Sequence, residues 1–237
     1  MQEGPDVSER LVASGRDADI LEFAPGLVLR RSRDGRSIAH EARIMNYVGE
    51  RGYPVPRIEE VRADGTEIVM ERLDGRSMLD ELARRPWQMI ALLGELADLH
   101  DRLHAIVAPA WLPEFSSGGA VLHLDLHPLN VMMTSRGPVV IDWPNARAGA
   151  PLADVALTYA LLRGGHIPLP RPIAQVLGAV RAPMINRGFA RRYLGDPEFD
   201  QHLAYMAGLK AFDPHLYADE VAAITRLAAG ATQRASG

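Results

Sequence analysis

The sequence predicts an α+β protein in which a small, strand-rich part is followed by a larger, mostly helical part. Residues 1–73 hold short apolar runs separated by Gly, Pro and Asp-Gly turn signals, which is typical of antiparallel strands, with one helical pattern among them. From residue 74 onward the apolar residues recur mostly at helical spacing. We therefore expect an N-terminal lobe at 1–73, a C-terminal lobe at 74–237, a hinge at about 70–76 and a ligand site between the lobes.

The first lobe contains candidate strands, one helix and one strong hairpin signal. Strands are predicted at Leu11–Ala13, Ile20–Phe23, Leu27–Arg31, Ile58–Arg62 and Glu67–Arg72. Ser37 is a candidate helix N-cap, and apolar residues follow it at helical spacing as far as Val48. The pair Asp64-Gly65 predicts a hairpin that joins the last two strands.

The second lobe reads as helices interrupted by one hairpin. Ser77 is a candidate cap for a helix at Met78–Arg85, and Pro86 fits the first turn of a long helix that ends near Ala105. Two short strands are predicted around Ser135–Pro138, and helices follow from Leu152. Helix breaks are predicted near Gly164–Pro172, Leu194–Pro197 and Asp213–Pro214.

The composition limits the classes of function. The chain has no cysteine, which excludes disulfides and cysteine chemistry. Its net charge of −4 argues against a general nucleic-acid binder. The sequence shows neither a signal-peptide pattern nor an apolar run of about 18 residues, so we expect a cytoplasmic protein that does not enter a membrane. Lys210 is the only lysine, so a phosphate-binding cation in the first lobe has to be an arginine. The sequence does not indicate the oligomeric state.

The segment Val121–Trp143 concentrates polar residues between apolar runs. These residues are His123, Asp125, His127, Asn130 and Asp142. Because the strands that follow Asn130 should pair as a hairpin, we expect that hairpin to return Asp142 close to Asn130. Carboxylate oxygens together with phosphate oxygens are what Mg²⁺ prefers. Asn130 and Asp142 would hold the metal, and Asp125 would accept a proton from a substrate hydroxyl, as phosphoryl transfer requires.

The same segment allows a second interpretation as a metal-dependent hydrolase. If His123–His127 were a strand, His123, Asp125 and His127 would lie on one face and, together with Asp142, could bind zinc or manganese. Another histidine pair, His100 and His104, has the helical spacing that suits zinc, but the sequence offers no convincing third ligand.

The motifs resemble those of the aminoglycoside phosphotransferase family, which has a protein-kinase-like fold and is similar to choline kinases. HLDLHPLNVMM followed by VVIDW resembles that family's catalytic and metal-binding loops. The segments LVLRR, AHEARIMNYV, IVMERLDG and PLADVALTYALL resemble its third strand, its first helix, its hinge strand and the helix that follows the metal loop. The resemblance covers most of the chain. It implies a bilobal kinase with Mg²⁺, a nucleoside triphosphate (ATP or GTP) and a small hydroxyl-bearing substrate.

The resemblance also implies roles for individual residues. Asp125 matches the catalytic base, and Asn130 and Asp142 match the metal ligands. For the nucleotide, it implies Arg30 at the α- and β-phosphates with Glu41 as its acidic partner, Val28 and Met70 beside adenine, the backbone of Glu71 to Leu73 at the adenine edge, and Gly15 in the phosphate turn. His123 and Asp154 would support the catalytic loop.

Three departures from the family pattern keep alternatives open. The turn Ser14–Asp17 holds one glycine where relatives are glycine-rich, and Leu124 stands where the family usually has glycine. The chain is also shorter than many relatives. A degenerate, non-catalytic nucleotide-binding protein is therefore an alternative. From Arg171 onward there are eight cations and six acids, which does not predict a pocket for a polycationic aminoglycoside. A sugar or an amino alcohol is an equal expectation.

Overall fold

The chain folds into two compact units, each of which joins separate stretches of sequence. The computed structural model describes residues 10–15, 17–165, 180–214 and 216–235. One unit contains Met1–Arg76 and Met132–Pro144, and the other contains Ser77–Val131 and Asn145–Gly237. The sequence predicted a single division, at residue 73, whereas the structure also groups residues 132–144 with the first unit. The predicted α+β class is confirmed.

The first unit is built on a five-stranded antiparallel sheet in the order β1-β2-β3-β5-β4. Its strands are β1 (Leu11–Ser14), β2 (Ala18–Ala24), β3 (Leu27–Ser32), β4 (Ile58–Arg62) and β5 (Glu67–Glu71). All five predicted strands are present, with ends that differ by at most a few residues. The Asp-Gly hairpin is also confirmed, since Asp64 at φ 55° and Gly65 at φ 90° make the turn that joins β4 to β5.

Helix α1 (Ala39–Gly49) follows the third strand, but the predicted cap is wrong. The N-cap residue is Ile38, and no side chain caps the helix. Ser37 lies one residue too early, and its hydroxyl accepts the N–H of Ala39 at 3.4 Å. A capping side chain must sit at the residue where the backbone enters the helix, and here that residue is apolar.

Alternation along β3 gives the sheet two apolar faces. On one face Val28 packs with Ile68, Met70 and residues at the start of α1. On the other face Leu29 packs with Leu21 and Val69. Arg30 is two residues beyond Val28 and therefore projects on the face that α1 covers.

Residues 132–144 add a hairpin to the first unit. Strands β8 (Val131–Thr134) and β9 (Gly137–Val140) form a sheet with β6 (Gly75–Ser77) in the order β6-β8-β9. The N–H of Val140 donates to the carbonyl of Pro54 at 2.8 Å. The fully buried ring of Trp143 meets the ring of Tyr53 edge-on at 5.8 Å. Trp143 therefore packs in the core of this unit.

The second unit is mostly helical. Its helices are α2 (Met78–Arg84), α3 (Met89–His104), α4 (Pro151–Gly164), α5 (Pro197–Lys210) and α6 (Ala218–Ala235). Residues 181–185 are also helical and continue into a π-helical turn, Asn186–Ala190. The strands β7 (Ala120–Leu122) and β10 (Arg147–Gly149) pair antiparallel. Within the described ranges, no helix is long and apolar enough to cross a membrane.

Several local predictions for this unit are confirmed. Ser77 caps α2 by accepting the N–H of Asp80 at 3.1 Å. Pro86 opens a 3₁₀ turn, Pro86–Gln88, that leads into α3. The breaks near Leu194–Pro197 and Asp213–Pro214 both fall between helices. The break predicted at Gly164–Pro172 begins where α4 ends, and its later residues lie outside the described residues.

Replacing Gly75 by Ala is expected to destabilise the protein by about 1–3 kcal/mol, because there is no room for an added methyl group. A Cβ at this position would lie 2.2 Å from the carbonyl oxygen of Met133, which is backbone and cannot move aside as a side chain can. The free energy of unfolding from denaturant titration measures the effect. Gly208→Ala is the matched control, because it lies within α5 with nothing within 4 Å of the added Cβ, and should be neutral or slightly stabilising. Equal stability of Gly75→Ala and wild type would contradict the close approach.

Candidate active site

In the first unit the predicted cation and its predicted acidic partner form a largely buried ion pair. Arg30 on β3 places Nη2 2.9 Å from Oε2 of Glu41 on α1. The Arg30 side chain is 15% exposed and that of Glu41 6% exposed, so the pair is not an ordinary surface ion pair. Among the described residues, Nε of Arg30 is buried without a hydrogen-bond partner. A buried donor of this kind is costly unless a ligand satisfies it.

Asp142 joins the same cation from the other side. Its Oδ1 lies 3.4 Å from Nη2 of Arg30, although 112 residues separate the two in sequence. Asp142 follows β9 with φ at 69°, a left-handed conformation that Asp tolerates better than most residues. The buried Trp143 anchors the chain directly after it, with its indole N–H donating to the carbonyl of Val140 at 3.2 Å. The Asp142 side chain stays 41% exposed and can therefore reach a ligand.

The charge state of Glu41 depends on Arg30. Burial raises the pKa of Glu41 above its ordinary value, Arg30 opposes this, and the nearby negative charge of Asp142 adds to it. The guanidinium is thus shared by two carboxylates that compete for it. An anion or cation that binds at this site would change the pKa of Glu41.

The residues predicted to contact adenine lie on or directly after β3 and β5, two inner strands of the same sheet. Val28 and Met70 are directly opposite each other in the β3–β5 register and are both buried. The N–H of Glu71 is already used, since it donates to the carbonyl of Arg57 at 2.8 Å. The N–H of Leu73 has no recorded partner among the described residues. The hydrogen-bonding capacity expected of the Glu71 to Leu73 backbone is therefore reduced at Glu71 and retained at Leu73.

Gly15 lies in the turn between β1 and β2. Its N–H donates to the carbonyl of Ala18 at 2.9 Å, so this amide is engaged within the turn. Its carbonyl accepts Nη1 of Arg33 at 3.1 Å. The role predicted for Gly15 at the phosphates stays a prediction, and the neighbouring Arg16 lies outside the described residues.

In the second unit Asp125 and Asn130 are held together in one loop. Asn130 donates through Nδ2 to the backbone carbonyl of Asp125 at 2.9 Å and to its carboxylate at 3.3 Å. These two hydrogen bonds fix the amide of Asn130 with its nitrogen toward Asp125 and its oxygen away from Asp125. His127 places Nε2 3.6 Å from Oδ1 of Asp125. Among the predicted metal ligands, Asn130 belongs to this unit and Asp142 to the first.

The Asp125 carboxylate is ionised at neutral pH and partly open, with 25% of its side chain exposed. Burial raises its pKa, but His127, His123 and Lys210 together outweigh burial and hold the pKa below its ordinary value. A carboxylate in this state accepts a hydrogen bond from a hydroxyl. Lys210 on α5 was not singled out as a functional residue from the sequence, because only the fold brings its charge close enough to act on Asp125.

The structure contradicts the strand that the hydrolase interpretation required. The strand β7 ends at Leu122, and the left-handed φ of 57° at Leu124 interrupts the extended backbone, so residues 123–127 do not form one strand that alternates across a sheet. The polar alternation of HLDLH therefore does not place His123, Asp125 and His127 on one face of a strand.

Asp154 on α4 holds the start of this loop. Its fully buried carboxylate accepts the N–H of His123 at 2.9 Å and that of Leu124 at 2.8 Å. Four residues later on the same helix, the buried hydroxyl of Thr158 donates to the carbonyl of Leu126 at 2.7 Å. The sequence analysis missed Thr158, although its spacing from Asp154 puts both side chains on one face of α4.

The histidine pair of α3 meets the same carboxylate. His104 places Nε2 3.1 Å from Oδ2 of Asp154, and His100 places Nδ1 3.7 Å from it. The sequence offered no third ligand for this pair, and the fold supplies Asp154 in that position. Both Asp154 oxygens already accept backbone N–H groups of the loop. We therefore regard the cluster as support for the loop and do not interpret it as a metal site.

The fold is protein-kinase-like, as solved phosphotransferase structures show. The family model described as phosphotransferase enzyme family matches residues 9–118 and 82–202. The chain belongs to this family. This confirms the enzyme class predicted from the sequence, an ATP-dependent phosphotransferase with an alcohol group as acceptor.

Solved structures show the same fold at low sequence identity. The aminoglycoside phosphotransferase APH(4)-Ia aligns with a TM-score of 0.65 at 15% identity, over 98% of this chain and 95% of that chain. A choline/ethanolamine kinase family protein from Mesorhizobium loti aligns with a TM-score of 0.52 at 16% identity, over 94% of each chain. A thermostable mutant of APH(4)-Ia, solved as a ternary complex with AMP-PNP and hygromycin B, aligns with a TM-score of 0.67 at 12% identity, over 98% of this chain and 95% of that chain. No match was found among curated protein sequences.

Replacing His100 by Gln is expected to flatten the dependence of folding stability on pH between about pH 5 and 7. Burial lowers the pKa of His100 below its ordinary value of 6.5, so the unfolded chain binds more protons than the folded chain in this range. Wild-type stability should therefore fall as the pH falls through 6.5, by up to about 1.4 kcal/mol per pH unit from this one group.

Denaturant titrations at several pH values measure this effect. The matched control is His202→Gln, because the His202 side chain is 23% exposed and lies 3.9 Å from Glu198 on the same helix. This control reports the effect of losing a histidine that lies outside the cluster around Asp154. A His100→Gln curve that is parallel to wild type would show that His100 is not held neutral.

Proposed function

We propose that this protein is a small-molecule kinase in which Asp125 accepts the proton of a substrate hydroxyl during transfer of the γ-phosphoryl group of ATP. The observation that carries the proposal is the state of Asp125, a partly exposed carboxylate kept ionised by its basic neighbours and fixed by Asn130. A positioned base of this kind contributes roughly 10²–10⁴ to the rate of such a reaction.

Arg30 is proposed to bind the α- and β-phosphates, with Glu41 keeping it in place. Two features support this assignment: the buried ion pair at 2.9 Å and the buried Nε that has no partner among the described residues. A guanidinium offers five donors in a rigid fork, so Arg30 can hold Glu41 and still donate to phosphate oxygens. Val28, Met70 and the backbone N–H of Leu73 are proposed to contact adenine, and the turn at Gly15 is proposed to lie over the phosphates.

Asn130 and Asp142 are proposed as ligands of Mg²⁺. The chemistry of the two side chains fits this ion, because Mg²⁺ takes oxygen ligands and binds through one or two carboxylates together with phosphate oxygens. The amide nitrogen of Asn130 donates to Asp125, so the side-chain oxygen of Asn130 is the atom that would bind the metal. When bound, the ion would neutralise charge on the phosphates. His123 and Asp154 are proposed to keep the loop of Asp125 and Asn130 in shape.

The acceptor is proposed to be a small hydroxyl compound that is not a polycation. The structurally similar APH(4)-Ia mutant binds hygromycin B. In this chain, however, the side chains that lower the pKa of Asp125 are His127, His123 and Lys210, all of basic residues. Lys210 is itself paired with Asp213 at 2.7 Å, so these neighbours of Asp125 add no unpaired carboxylate for a polycationic aminoglycoside. A neutral sugar or a simple alcohol suits these charges better.

Asp125→Ala is expected to lower the rate of phosphoryl transfer by at least about 10²-fold while nucleotide binding survives. The assay follows ATP consumption across a panel of sugars, amino alcohols and phosphorylated alcohols, and nucleotide binding is measured separately by calorimetry. The control is Asp98→Ala, which removes a 67% exposed carboxylate from the same unit and should leave transfer unchanged. An Asp125→Ala protein with full activity would exclude the proposed role. A wild-type protein that binds ATP but phosphorylates no member of the panel would instead favour a non-catalytic nucleotide-binding protein.

Arg30→Met, combined with Glu41→Gln so that no buried carboxylate is left unpaired, is expected to weaken binding of Mg-ATP by about tenfold or more. The reason is the loss of charge-assisted hydrogen bonds to phosphate, which are worth about 1.5–3 kcal/mol each. Arg31→Met is the matched control, since Arg31 is the next residue along β3 and pairs with Glu67 at 2.7 Å instead. Isothermal titration calorimetry measures both. Equal losses of affinity in the two variants would show that Arg30 has no specific part in nucleotide binding.

A further inference from the structure

A cavity in the second unit is lined by three arginines that the proposed reaction does not use. Its volume is about 320 Å³. Arg163 enters it from the end of α4, and Arg226 and Arg234 enter it from α6. The rest of the lining is small or apolar and consists of Ala223, Leu227 and Gly230.

The positive charge of this cavity is only partly balanced. Arg234 is paired with Asp200, which accepts its Nη2 at 2.7 Å and its Nε at 3.1 Å. Arg163 donates Nη1 to the hydroxyl of Tyr159 at 2.6 Å, which is a neutral partner. Within the described ranges, no carboxylate lies at ion-pair distance from Arg163 or Arg226. Among the described residues, two of the three guanidiniums therefore have no carboxylate partner, and that of Arg226 is exposed.

A fourth arginine adds to this excess. Arg181 is partly buried and donates Nη1 to the carbonyl of Gly165 at 2.7 Å. Burial lowers the pKa of Arg181, and the like charge of Arg163 lowers it further, whereas Glu220 opposes this effect. Residues 166–179, which lie between Arg163 and Arg181 in the sequence, contain neither Asp nor Glu. Arg181 does not line the cavity, but its charge adds to the positive charge near Arg163. An anion that binds beside Arg163 would reduce the repulsion between these like charges.

We propose that this arginine cavity binds a small phosphate-bearing molecule. Guanidinium groups bind phosphate through pairs of parallel hydrogen bonds, and arginine is the preferred residue where such planar recognition is needed. A phosphate ester also brings about two negative charges, which match the two guanidiniums that have no carboxylate. The volume lies at the lower end of the range of small-molecule sites, roughly 300–1,000 Å³.

The proposed anion site is separate from the residues that we assign to phosphoryl transfer. Arg163 follows Asp154 by nine residues on α4, which corresponds to about 14 Å along the helix axis at 1.5 Å per residue. None of the lining residues belongs to the loop of Asp125. Anion binding in the cavity can therefore be tested independently of the proposed kinase activity.

The test is a calorimetric titration of the full-length protein, without nucleotide, with inorganic phosphate and with pyrophosphate, against sodium chloride at matched ionic strength. We expect saturable binding of a phosphate ligand. Arg226→Gln and Arg163→Gln should each weaken it at least tenfold. Arg191→Gln, at an exposed position outside the cavity, is the matched control and should change the dissociation constant less than twofold.

A charge-reversal variant provides a second measurement that does not depend on the loss of a side chain. Arg226→Glu places a carboxylate beside Arg163, so it should raise the melting temperature without phosphate and abolish any further rise when phosphate is added. The proposal is overturned if no phosphate ligand binds more strongly than chloride. It is also overturned if binding persists in both cavity variants and is lost in the Arg30 variant, since the anion would then occupy the first unit.

Discussion

The geometry of the second unit depends on one buried carboxylate, that of Asp154. It accepts the N–H groups of His123 and Leu124 at 2.9 and 2.8 Å, and Leu124 is held at φ 57°. A left-handed conformation costs a residue with a side chain about 1–2 kcal/mol. A hydrogen bond to a charged acceptor contributes about 1.5–3 kcal/mol, so the two bonds offset that strain. Asp125 follows Leu124 directly, so the direction of the proposed base depends on a helix about thirty residues further along the chain.

That carboxylate must stay ionised although no solvent reaches it. Burial raises the pKa of Asp154, but His100 and His104 more than compensate, and the pKa lies well below its ordinary value. In the first unit the buried carboxylate is that of Glu41, and its charge is balanced less completely. The guanidinium of Arg30 pairs with both Glu41 and Asp142, and the pKa of Glu41 is raised because burial and the charge of Asp142 outweigh the effect of Arg30. Asp154 in the second unit is therefore held in its ionised state. The charge state of Glu41 in the first unit instead depends on what binds beside Arg30.

Local sequence patterns predicted most of the local structure correctly. They failed where the conformation or the environment of a residue depends on another residue far away in the sequence. The strands of the first unit, the Asp64-Gly65 turn and the Ser77 cap all follow from residues that are neighbours in sequence. The alternation in HLDLH also looked local, but Asp154 turns that segment out of the extended conformation. Lys210 acts on Asp125 only through the tertiary fold. The pairing of Arg30 with Asp142 crosses 112 residues and was not predicted from the sequence.

Helix α4 takes part in both sites of the second unit and therefore constrains how they can influence each other. Its first half holds the loop of Asp125 through Asp154 and Thr158, and its last turn carries Arg163 into the arginine cavity. A ligand in the cavity changes the loop only to the extent that it binds one position of α4 more tightly than another. Because Asp154 and Thr158 each make close hydrogen bonds to the loop, a shift of α4 would move the backbone on both sides of Asp125. Coupling of about 1–3 kcal/mol is typical of such linked sites, and it would have the same size in either direction.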